Sequence, residues 1–158
     1  MAVDYFLNLD GIKGESVDDK HKDWITLLSF SHGASQVTSV AGTGGSAAGK
    51  ADLADLSIMK YYDKATTPIF KALVQGTHIK TGHIEAVKSG AGGKPFIKYE
   101  FQELYVTNQQ VSASSEIPTE SVSFSFNQIK VEYSTQNEQG IVTTTGAVTF
   151  NTKGNKTS

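Results

Sequence analysis

The stretch Ser121–Ser134 reads SVSFSFNQIKVEYS, and its reading decides the fold. Val122, Phe124 and Phe126 alternate with Ser121, Ser123 and Ser125. A period of two marks a strand with one buried face and one wet face. The apolar set then changes parity, because Ile129, Val131 and Tyr133 are odd-numbered. On a regular strand those three would leave the core face. Either both faces are covered, or an extra residue near Asn127 and Gln128 re-aims the chain as a β-bulge. A bulge bends a strand, and bent strands close barrels and turn sandwich corners. The stretch therefore predicts one long, bent strand at the centre of a rolled β domain.

The flanking sequence supplies strands to pair around it. Val3, Tyr5, Leu7 and Leu9 alternate, and Asp10–Gly11 reads as the turn that follows. Gly14–Asp23 is a polar loop. Trp24–Phe30 is apolar on both parities, as in a strand covered on both faces. Gln36–Val40 extends as strand. Ala41–Lys50, AGTGGSAAGK, is too rich in Gly and Ala to pack, which predicts a long flexible loop. The second half of Ala51–Asp63 and the run His78–Val87 read as strands. In Pro95–Thr107 the residues Ile97, Tyr99, Phe101 and Tyr105 are expected to share one face. Ile141–Phe150 reads as the last strand. One helix stands out in Thr66–Gly76, its core at about Pro68–Gln75. Thr67 suits the cap, Pro68 the first helical position and Gly76 the stop. No repeat or linker divides the chain, so residues 1–158 read as one domain with a frayed polar tail at Asn151–Ser158.

Composition narrows the function classes. The formal net charge is −2 and charged residues make up 19%, which gives no bulk electrostatic case for nucleic acid or an anionic membrane. Cys is absent, so disulfides, thiolate nucleophiles and Cys-held metals are excluded. The N-terminus, MAVDYFLNLDG, has neither a basic region nor an apolar run of signal-peptide length. No apolar run has the length of a membrane-spanning helix.

The search for chemistry finds one sharp motif. Gly44, Gly49 and Lys50 satisfy the spacing of a phosphate-binding loop. The next residue is Ala51 where the motif needs a Ser or Thr for Mg²⁺, and no clear helix follows. Asp18, Asp19, His21 and Asp23 cluster, but their spacing fits neither a calcium loop nor a zinc helix; a solvated acidic loop is the expectation. His78 and His83 point to opposite faces of a strand. His32 reads as structural. Glu100 and Glu103 have opposite parity on one strand, a poor acid–base pair. The reading is therefore no catalytic, cofactor-binding or metal-binding residue, and a structural or binding module.

The ordered set of short motifs resembles a known family. Tyr5–Ser16 (YFLNLDGIKGES), Asp18 and His21, Trp24–Ile25 and Ser29–Ser35 (SFSHGAS) carry the resemblance first. It continues through the Gly-rich Gly42–Lys50, Asp63–Pro68 and the helix to Gly76. It ends with Tyr99, Leu104–Thr107 and Glu120–Tyr133. Together they look like the Hcp family, the haemolysin-coregulated proteins of type VI secretion.

That resemblance implies a mainly β fold: a closed β-barrel of two packed antiparallel sheets with one flanking helix. It implies a homo-hexameric ring, and rings stacked into the inner tube of a contractile injector. The partners implied are a spike protein, a sheath and effector proteins carried in the ring lumen, with no nucleic acid and no membrane insertion. The protein would assemble in the bacterial cytoplasm and be secreted by the type VI system without a cleaved signal. The ring-stacking loop would be Val37–Lys50, with Val37, Ser39, Val40, Thr43, Gly44, Gly45 and Lys50 at the contact. Two alternatives stay open: a tail-tube-like subunit of a related contractile particle, and a nucleotide-binding protein using the Gly42–Lys50 loop.

Overall fold

The computed structural model describes residues 2–41, 45–89, 93–137 and 139–158. Its organising strand is β8 (Pro95–Ser112), of 18 residues. The first half of β8 pairs with β7 (Ile79–Lys88) and β10 (Gln128–Gln136). Its second half pairs with β9 (Thr119–Ser125). Between the halves Glu103 has φ 53°, in a region that non-glycine residues rarely occupy. A register shift follows between Val106 and Asn108. The core-facing parity changes with it: Phe101 is buried, and so are Leu104 and Val106 beyond the kink. Tyr105, expected on the face of Phe101, is instead 46% exposed.

The stretch Ser121–Ser134 is not one bent strand. It breaks at Phe126–Asn127 into β9 and β10, which pair with opposite halves of β8. Its change of parity marks a change of sheet, not a bulge. Trp24–Phe30 does the same. β2 (Ile25–Leu27) pairs with β1 (Val3–Leu9), and β3 (Ser29–Ser31) pairs with β6 (Leu56–Tyr61). Leu28 is the hinge, and its N–H donates to Met59 O at 2.8 Å.

Two antiparallel sheets result. The first runs β12-β11-β10-β8-β7-β1-β2, with β11 at Val142–Asn151 and β12 at Lys156–Thr157. The second runs β3-β6-β9-β8. They share β8 on one side and meet at Leu28 on the other. No ladder joins β2 to β6, so the pairing draws two sheets around a core, not the closed barrel expected. Asn151–Ser158, expected to fray, turns back and pairs with β11. β4 (Ala34–Ala41) and β5 (Gly45–Leu53) pair only with each other. Most of the stretch expected as a long glycine loop is therefore strand, with Gly42–Gly44 outside the described residues.

The core between the sheets gathers Leu7, Leu9, Ile25, Ile58, Ile84, Phe101, Leu104, Val122 and Phe124. The helix α1 (Thr66–Gln75) closes it with Ile69 and Ala72. Gly76, at φ 64°, ends the helix as expected, and the cap backbone reaches Ala72 O and Leu73 O. The start differs. Ala65, not Thr67, is the N-cap, and Pro68 is the third helical residue. The turn into the helix is held by Asp63, whose Oδ1 accepts the Ala65 N–H at 2.9 Å.

Beneath that turn lies a buried charge cluster. Lys60 and Glu120 are both fully buried and stand opposite each other on β6 and β9. Lys60 Nζ donates to Glu120 Oε1 at 2.5 Å, to Thr66 Oγ1 at 3.2 Å and to Tyr61 O at 3.0 Å. Asp63 Oδ1 lies 2.8 Å from the same ammonium. Gln109 Nε2 donates to Glu120 Oε2 at 3.1 Å and to Thr66 O at 3.2 Å. Burying charge is costly unless every partner is present, and this set ties the helix start to both β8 and β9. Glu120→Ala takes from the Lys60 ammonium its fully buried carboxylate partner and leaves only Asp63. Urea unfolding is expected to show a loss of about 3–5 kcal/mol, with most of it recovered in the double variant Lys60→Met/Glu120→Leu. A loss below about 1 kcal/mol, the scale of an exposed pair, would show that the cluster does not hold the helix.

Candidate functional site: a projecting hairpin and two unlike faces

The β4–β5 hairpin carries the residues expected at a ring-stacking contact. Its register steps between Gln36↔Ala51 and Thr38↔Ala48, which sets Val37 of β4 opposite a bulge at Gly49 and Lys50 of β5. Val37 is 83% exposed. Ser39 and Val40 are in β4, and Gly45 and Lys50 are in β5, with Lys50 exposed. Thr43 and Gly44 lie outside the described residues. The Ala54 N–H donates to Gly33 O at 2.8 Å and closes the base of the hairpin, where Leu53 packs against the core. The phosphate-loop reading does not survive this geometry. Gly49 and Lys50 run along β5 into β6, whereas a phosphate loop must open a helix N-terminus.

The solvent faces of the two sheets differ in chemistry. On the second sheet the inward positions are Leu56, Ile58 and Lys60 of β6, and Glu120, Val122 and Phe124 of β9. The register then sets Ser31, Ser57, Ser123 and Asn108 in one row on the outer face, and Ser29, Met59, Ser121 and Gln110 in the next. Ser57 and Ser123 hydroxyls are 3.2 Å apart. No charged side chain stands in either row. The first sheet carries the opposite pattern. One cross-strand row is Glu85, Lys98 and Glu132; the next is His83, Glu100 and Lys130. These alternating charges line a shallow groove with Tyr99.

Titratable groups at the rim are structural. His21, expected in a solvated acidic loop, is 1% exposed. It stacks on Phe6 at 4.3 Å and meets Trp24 edge-on at 4.8 Å. Its Nδ1 lies 2.7 Å from Asp18 Oδ2 and its Nε2 lies 2.9 Å from Glu85 Oε1. The ring thus pins the loop to β7, and Gly14 allows it, because a Cβ there would strike the Trp24 carbonyl. His32 Nε2 and the Tyr99 hydroxyl are 3.0 Å apart, and burial holds His32 below its usual range and Tyr99 above. His78 packs beside Tyr105, and His83 lies 3.9 Å from Glu100, so the two histidines do not converge. Glu103 faces Lys153 at 3.3 Å, away from Glu100. Among the described residues no group of three His, Asp or Glu side chains is placed to hold a metal. No helix among them is long and apolar enough to cross a membrane.

A family model described as "Type VI secretion system effector, Hcp" matches residues 6–133. The chain belongs to the Hcp family. It is 35% identical over 145 residues to Protein hcp1 of Pseudomonas aeruginosa, across 89% of this chain and 88% of that protein. A solved structure of a type six secretion system protein superposes with a TM-score of 0.92, at 31% identity, over 99% of this chain and 100% of the other. Hcp1 from Salmonella typhimurium follows with a TM-score of 0.81, at 34% identity, over the whole of both chains. The Hcp fold thus accounts for both sheets, the helix and the hairpin together.

The Asp18–His21 contact gives a prediction with a defined sign. The His21 hydrogen bond is the main cause that holds the Asp18 carboxyl below its ordinary 3.8. A carboxyl with a depressed folded pKa stabilises the fold above its unfolded pKa and loses that contribution as pH falls through the folded value. Asp18→Asn is expected to lower the melting temperature near neutral pH. The gap from the parent should close as the pH is taken below 3.8. A gap unchanged by pH would mean that the carboxylate charge contributes nothing.

Proposed function

We infer that this Hcp chain is a structural subunit of a type VI secretion tube and not an enzyme. It forms one domain whose two sheets, joined along β8 and meeting at Leu28, make the wall. Six copies form a ring, and rings stack into the tube that the sheath drives outward behind the spike. Assembly is cytoplasmic, and export is by the machine itself.

The observation that carries this reading is the β4–β5 hairpin. It belongs to neither sheet and stands out on a single chain. A lone two-stranded hairpin is marginal in water, and it gains its missing contacts against a neighbouring ring. Val37, Ser39, Val40, Thr43, Gly44, Gly45 and Lys50 are the residues proposed for that contact. The glycines of Gly42–Lys50 make its backbone costly to order, so stacking stays weak until the machine nucleates it. The uncharged serine face of the second sheet suits the lumen. It offers hydroxyls to passing effectors without holding them by charge. The alternating charges of the first sheet suit the outside.

Electron microscopy of the purified protein tests the stacking role. The parent is expected to show rings and short stacks. A variant in which residues 37–50 are replaced by a tight turn should keep single rings and lose the stacks. Stacks of parental length in that variant would assign stacking to another surface.

A further inference from the structure

β11 is the outer strand of the first sheet along most of its length. β12 pairs with it only at Phe150 and Asn151. Thr149 also exchanges backbone bonds with Ser158 in both directions, at 2.7 and 2.8 Å. Those bonds fix which way β11 aims its backbone groups. The N–H and C=O of Thr149 point away from β10. Two residues earlier, Ala147 stands opposite Glu132 in the same ladder. By alternation its N–H and C=O also point outward. Among the described residues no strand other than β10 lies against β11 from Val142 to Val148.

The edge has little of the usual protection. Natural edges carry Lys, Pro or inward charges that discourage pairing. Gly140–Thr152 contains no charged residue and no proline. One bulge is present, where the register steps from Tyr133↔Gly146 to Ser134↔Thr144. Beside it Gly146 has open space where a Cβ would stand, which lets another backbone come close. Beyond Tyr133 the β10–β11 ribbon also leaves β8 behind. Ile141 is 57% exposed at that end, and Val148, on the edge strand beside Val131, is 53% exposed.

We propose that the open β11 edge around Ala147 takes a strand from a second copy of this chain, extending the first sheet across a subunit boundary. Backbone bonds supply the affinity, as in other strand additions. The occupant is a second copy for two reasons. An edge without charge repels an identical chain no more than any other. A ring also holds a neighbour beside every subunit at high effective concentration. The inference rests on the tube reading for that neighbour, and adds the strand that meets it. The segment lies beyond residues 6–133, the part matched by the family model.

Ala147→Pro removes the outward N–H without breaking a bond to β10. Sedimentation of parent and variant across a concentration series reads the effect. The variant is expected to keep the parent's far-ultraviolet circular dichroism and to associate about tenfold more weakly or worse. Hydrogen exchange of the parent supplies a second reading that needs no variant. The Ala147 amide should be protected in the assembled state and exchange fast after dilution. A variant that assembles like the parent, or an Ala147 amide that exchanges fast in the assembly, overturns the proposal and leaves the ring standing. A parent that never associates overturns both.

Discussion

Everything in this fold depends on one strand serving two sheets. β8 runs 18 residues, well past the usual strand of about 5–6. A strand that long cannot stay flat against one layer, because strands twist as they run. The turn is concentrated at Glu103, the one non-glycine residue of β8 with positive φ. It carries the C-terminal half of the strand into the second sheet. Every neighbour must then choose a half. β7 and β10 take the first, β9 the second, and the connections Asn127 and Leu28 step between sheets. The interior that this encloses is apolar, except at the helix start.

That exception fixes where the helix sits. A helix of 10 residues is marginal on its own. Ile69 and Ala72 bury it against the core, but apolar contact alone does not set its rotation or depth. The Lys60–Glu120–Thr66–Gln109 set does, since each donor must meet its acceptor at a defined place. With helix and β8 tied together, the outer faces of both sheets are largely free of structural duty, Glu85 at the His21 clamp excepted. One is covered by serines and the other by alternating charges, a division that a tube wall with an inside and an outside requires.

The sequence showed the strands better than their grouping. Period-two alternation located β1, β9 and β10, the Thr and Val content of Ile141–Phe150 pointed to β11, and the Gly76 stop was readable from its chemistry. The sheet switch at Asn127 was visible as a parity change, but bulge and crossing look alike until the partners are known. Tyr105 was misplaced because nothing in the identity of Glu103 announces a left-handed backbone. The glycine stretch was misread because composition favours a loop, while tertiary pairing drew Gly45–Leu53 into β5. The buried cluster left a usable signal that went unread. Glu120 has the parity of Val122 and Phe124, and Lys60 that of Leu56 and Ile58, so both charges stood in apolar rows. The His21 clamp left less, since its partner Glu85 is 64 positions away.

We propose that the folded chain is one sixth of a ring. Two features argue for it beyond family membership: a hairpin that belongs to neither sheet, and two outer faces of unlike chemistry. Light scattering on the protein as it elutes from a sizing column measures this directly. The account predicts a particle of about six times 16.9 kDa. A homogeneous monomer at every concentration tested would contradict it.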